Sequence, residues 1–66
     1  MSLKERYDAL ASMPLSLNDL PKLEDLVKLA KIQGENEISY LSRLLIIDLY
    51  LENNMLDQAF EMASNA

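Results

Sequence analysis

Serine hydroxyls, tyrosine phenols, lysine amines and carboxylates are the groups in this chain with chemistry of their own. Their neighbours decide whether any of them can act. The sequence holds no Cys and no His. A nucleophilic hydroxyl needs an activating base beside it, and only carboxylates and Lys are left for that role. Ser39 and Ser42 fall within a helical segment where the pattern supplies no such partner. Carboxylate pairs of the glycosidase kind face each other across a cleft, which a chain of 66 residues is too small to frame. The usual zinc ligand sets draw on Cys and His, and no calcium-loop spacing of acids is present. Phosphate-cradling loops need clustered glycines, whereas Gly34 is the sole Gly. The expectation is a non-enzymatic chain with no catalytic residues, cofactor, metal site or small-molecule substrate.

Asp48 is the ionisable residue that stands out, because it interrupts the most apolar stretch, LLIIDLYL at 44–51. Two readings are open. Asp48 is the polar edge of a helix turned to solvent, or it is a buried or interface carboxylate paired with Arg43 or with a partner's base. Left unpaired inside, it would shift its pKa and neutralise. Tyr7, Tyr40 and Tyr50 each carry an apolar ring and a polar tip, suited to core edges and to interfaces. Met13, Met55 and Met62 either fill core gaps or line an adaptable groove.

The elements that must position these residues are helices. Leu, Ala, Met, Lys and Glu abound and favour helix. Val27 is the only Val and Thr is absent, against the needs of a sheet. Four segments are expected, at about 2–13, 18–33, 36–52 and 55–65. Ser2 and Glu5 have capping-box spacing, Leu3, Tyr7 and Leu10 line one face, and Pro14 closes the first segment. Asn18 or Asp19 can cap the second, and Pro21 is tolerated in its first turn. Leu20, Leu23, Val27 and Ala30 form its stripe, widened by Leu26, Leu29 and Ile32. Glu24 and Lys28 stand at a favourable i, i+4 spacing. Gly34 suits a left-handed C-terminal cap. Within the third segment the stretch LLIIDLYL is apolar almost all round, which predicts a helix buried on most of its circumference at the centre of the fold. Asn53-Asn54 predicts a break before the fourth segment, with Asn54 and Asp57 spaced like a capping box. The alternative is one continuous helix through the Asn pair. The fold class expected is all-α, a single domain over 1–66 of three to four short helices in an antiparallel hairpin or small irregular bundle.

Half the residues are hydrophobic and the formal net charge is −5. All six bases precede residue 44, while Asp48, Glu52, Asp57 and Glu61 follow it. An acidic body without a basic stripe argues against direct binding to nucleic acid or to an anionic membrane. No apolar run approaches the roughly 20 residues that span a bilayer, and no signal-peptide pattern is present. The expected location is cytoplasmic.

In the last third, Tyr50, Asn54 and Ala59 stand at spacings of four and five, with Ile46 before them and Ala63 after. Over about residues 39–66 this resembles part of a tetratricopeptide repeat. The resemblance implies two antiparallel helices, close at Ala59, with the Tyr50 ring filling the groove. Asn54 stands where that family usually has Gly, and Arg43 and Ile47 where it usually has a Trp-like residue and Gly. In size, acidity and the turn around Gly34 the chain also resembles the small helical-hairpin chaperones of type III secretion needle subunits.

The function expected is a protein–protein interaction module, or a small acidic chaperone or adaptor. Its apolar residues outnumber what a few short helices can hide. The surplus would take a partner helix or a second copy of the chain. The seam expected to do this comprises Leu41, Leu44, Leu45, Asp48, Leu51 and Met55 with Phe60. Two alternatives stay open: an acidic regulator that occludes a basic nucleic-acid-binding protein, and a structural oligomerisation domain.

Overall fold

The computed structural model describes residues 2–64. They form four α-helices, α1 (Leu3–Ala11), α2 (Leu20–Ile32), α3 (Asn36–Glu52) and α4 (Leu56–Ser64), with a 3-10 turn at Leu17–Asp19 leading into α2. There is no strand among the described residues. The protein is a small all-α bundle.

Local signals account for most of the boundaries. Ser2 Oγ accepts from the Glu5 N–H at 3.1 Å, and the Glu5 carboxylate accepts from the Ser2 N–H at 3.2 Å. This closes the capping box that starts α1. The helix stops at Ala11, two residues short of the expected 13, because Met13 before Pro14 cannot stay helical. The start of α2 differs more. Asp19 has helical backbone and caps nothing in α2. Its carboxylate turns back instead to accept from the Ser16 N–H at 2.9 Å. The box spacing Ser16 to Asp19 starts the 3-10 turn, and α2 continues from it at Leu20. Asn18 is likewise inside that turn and caps nothing. Expected helix residue 65 lies outside the described residues.

Both remaining connections are the same turn. After α2, Gly34 takes φ +74°; its N–H donates to the Lys31 carbonyl and the Glu35 N–H to the Ala30 carbonyl. After α3, Asn54 takes φ +58°; its N–H donates to the Leu51 carbonyl and the Met55 N–H to the Tyr50 carbonyl. Each pair of bonds is a Schellman closure with a left-handed residue at its hinge. Asn53 adds a bond from its side-chain Nδ2 to the Leu49 carbonyl at 2.8 Å. The Asn pair therefore breaks the chain into two helices. Five residues past each hinge stands a small buried residue, Ser39 and then Ala59. Small side chains there let successive helices pack closely.

Packing gathers round α3, which touches α1, α2 and α4. One buried cluster joins Leu3 of α1 to Leu26 and Ala30 of α2 and Ile38 of α3, with Tyr7, Leu10 and Leu29 against it. The other joins Leu23 to Ile46 and Leu49, with Val27, Leu45, Tyr50 and Met62 among its partly buried neighbours. Leu10 packs against both. At 32 × 25 × 15 Å, the molecule is no more than two helix layers deep, given interaxial spacings of about 8–10 Å. Two layers cannot enclose a helix on all sides. The expectation that α3 is buried round most of its circumference is corrected accordingly. Ile38, Ser39, Ser42, Ile46 and Leu49 face inward, while Tyr40, Leu44, Asp48 and Leu51 are exposed.

Charged contacts contribute little. Arg6 on α1 reaches Asp25 on α2 at 3.9 Å, and Lys22 reaches Asp19 at 3.7 Å. Glu24 and Lys28 do not close an ion pair. The largely exposed Arg6–Asp25 pair is worth about 0–1 kcal/mol, whereas Asp19 of the second pair is buried and its partner Lys22 stands in solvent.

Candidate interaction surface

Most of the large exposed apolar side chains among the described residues gather on one side of the α3–α4 pair, while Met13, Leu17 and Ile32 are exposed elsewhere. On α3, Tyr40, Leu44, Ile47 and Leu51 recur at spacings of four, three and four, which places them in one line along the helix. On α4, Leu56, Phe60 and Ala63 do the same. Five of these are large and strongly exposed: Phe60 at 75%, Leu56 at 61%, Tyr40 at 58%, Leu51 at 48% and Leu44 at 38%. Between the lines runs an open groove of about 180 Å³ lined by Tyr40, Arg43, Leu44, Ile47 and Ala63. Its alignment is held from beneath. The Arg43 guanidinium donates through Nη2 to the Met62 carbonyl oxygen at 2.8 Å, tying α3 to the last turn of α4. Ala59, buried between the helices, holds the backbones close.

The seven residues expected to form a single seam do not share one face. Leu44, Leu51 and Phe60 belong to the α3–α4 surface just described. Leu41 instead lines a crevice against α1 with Lys4, Tyr7 and Asp8. Leu45 and Asp48 line another with Met13, Pro14 and Leu15 of the α1–α2 connection. Met55 is half-buried in the α3–α4 turn. The reason is angular. At 100° per residue, Leu41 and Leu45 lie about 60–100° round α3 from Leu44, and α1 with its following loop occupies that sector.

Asp48 is exposed, so of the two intrachain readings the solvent-facing edge holds. Its expected pairing with Arg43 does not form, because Arg43 bonds the Met62 carbonyl. Tyr7 and Tyr50 are core-edge residues, and Tyr40 lies on the exposed surface. Met62 packs against the core, while Met13 is exposed. The expected seam omitted Tyr40, Ile47, Leu56 and Ala63. The signal for them was present as the spacings 40-44-47-51 and 56-60-63.

Among the described residues no group of three or more acids could hold a metal ion. No helix of theirs is long and apolar enough to cross a membrane. Comparison with protein families, with curated proteins and with solved structures finds no match to this chain.

Proposed function

We propose that the protein is a non-enzymatic, cytoplasmic protein–protein interaction module, acting as a small chaperone or adaptor through the apolar α3–α4 surface. The observation that carries the reading is the double line of large apolar side chains at that surface, with Phe60 and Leu56 more exposed than buried. Scattered single apolar residues are normal on a protein surface. A contiguous set in and beside a groove on a chain this small supports a docking role. The tetratricopeptide-like pairing of α3 and α4 belongs to the same proposal. It is supported by Asn54 at the hinge, Tyr50 half-buried beside it, and Ala59 buried between the helices.

The test compares the wild-type chain with a Leu56→Ser/Phe60→Ser double variant. Both residues are exposed, so circular dichroism should show the helices intact. Sedimentation and affinity capture from the native source should show an assembly, with itself or with a partner, that the variant loses. A wild-type chain that stays monomeric, and whose captured proteins are retained by the variant, overturns the proposal.

A further inference from the structure

We infer that the occupant of the α3–α4 groove is an amphipathic helix with basic flanks, supplied by another protein rather than by a second copy of this chain. The inference rests on the docking reading above and specifies its partner.

Three observations carry it. The first is backbone chemistry. The groove walls are helices whose N–H and C=O groups are spent on their own ladders, so an extended peptide would find no main-chain partners there. A helix brings its backbone already satisfied and needs only side-chain contacts. The second is length. α4 has nine residues, which at 1.5 Å each gives a groove wall of about 13 Å. That matches two to three turns of a partner helix, with apolar anchors at i, i+3 or i+4, and i+7.

The third is charge. Glu37 and Asp48 stand on α3 beside the apolar line, on the side away from Arg43 and Tyr50; both are exposed and both border the crevices against α1 and its loop, Glu37 together with Lys4. Asp57 stands on α4 beside its apolar line, on the side away from Ala59, and is also exposed. Both outer rims of the groove are therefore acidic. Over residues 36–64 five carboxylates stand against one base, Arg43, which lines the groove and keeps its charge while donating to the neutral Met62 carbonyl. A second copy laid groove to groove would bring acidic rims together in a molecule of net charge −5. Juxtaposed like charges disfavour that pairing.

The experiment titrates the full chain, followed by amide NMR, with three synthetic probes. These are an amphipathic Leu/Lys helix of about three turns, the same peptide with Glu for every Lys, and a scrambled Leu/Lys peptide of identical composition. The expected result is binding of the first probe, with shifts centred on Tyr40, Leu44, Ile47, Leu51, Leu56, Phe60 and Ala63. The other two should bind at least about tenfold more weakly. Two variants separate the contributions. Leu44→Ser/Phe60→Ser keeps every charge and should cost about tenfold or more in affinity through lost apolar burial. Asp48→Asn/Asp57→Asn keeps the apolar surface and should weaken binding severalfold while flattening its salt dependence.

If the Glu peptide binds the same residues as tightly as the Lys peptide, the basic-partner inference fails and the docking reading survives. Dimerisation of the free chain through these residues has the same consequence. Equal binding by the scrambled peptide, or shifts that avoid the groove, overturns the inference. If in addition the chain is monomeric and no probe reaches the groove, the docking reading falls with it.

Discussion

The two left-handed hinges permit a paired test of what ends the helices. At Gly34, φ is +74° and a Cβ built on its backbone would meet nothing within 4 Å. Gly34→Ala therefore changes no packing, and its whole effect is conformational. An L-residue in the left-handed region costs about 1–2 kcal/mol. Part of this is offset because Ala reduces the freedom of the unfolded chain by about 0.4–1 kcal/mol. The net expected loss is about 1 kcal/mol. At Asn54, with φ +58°, the native residue already bears a reduced form of the same cost, since Asn tolerates this region better than Ala. Asn54→Gly should thus gain a few tenths of a kcal/mol, opposite in sign to Gly34→Ala. The assay is urea unfolding followed by circular dichroism, with thermal melts alongside. In a domain of this size 1 kcal/mol moves Tm by about 4–8 °C. An unchanged midpoint for Gly34→Ala, or a loss for Asn54→Gly equal to it, would refute the hinge mechanism. The helices would then be ended by tertiary packing and not by the backbone conformation at these residues.

Three further outcomes are expected. Ser42 is fully buried on α3 and its hydroxyl has no hydrogen-bond partner. Ser42→Ala should raise stability by about 1 kcal/mol in the same urea assay, because an unsatisfied buried group is removed with little change of shape. Leu23 is fully buried between α2 and α3. Leu23→Ala should cost about 2–5 kcal/mol, which is much of the roughly 3–10 kcal/mol available to a chain this short, so its melt should move to much lower temperature or lose cooperativity. Arg43→Met keeps most of the side-chain bulk and removes the bond to the Met62 carbonyl. Hydrogen exchange in α4 should then accelerate while α2 stays protected, and equal acceleration in both helices would contradict a local latch.

How much was legible in the sequence follows from the range of the forces involved. Ser2 with Glu5, Pro14, Gly34 and the Asn53-Asn54 pair act within one helical turn, so they could be read from neighbours in the chain, and the structure places helix ends at or near each of them. Asp19 was harder. Its capping spacing is real, but the partner is Ser16 behind it and not the helix ahead. The choice depends on whether a 3-10 turn intervenes. That the Gly34 and Asn54 turns are alike was hidden because different residues serve the same backbone geometry.

By itself the amino-acid order left three or four helices open, but it determined their approximate limits, the all-α class and the line of residues each helix presents at a given angle. Those follow from hydrogen bonds and steric limits that span at most four or five residues. Only the tertiary structure decided which angular sector of α3 each neighbour covers. It set Leu41 and Leu45 beside α1 and its loop, left Leu44 and Leu51 open beside Phe60, turned Asp48 to solvent and gave Arg43 to Met62. Helical periodicity states where a side chain points relative to its own axis. What stands opposite depends on how two thin layers of helices cross, which no single segment encodes.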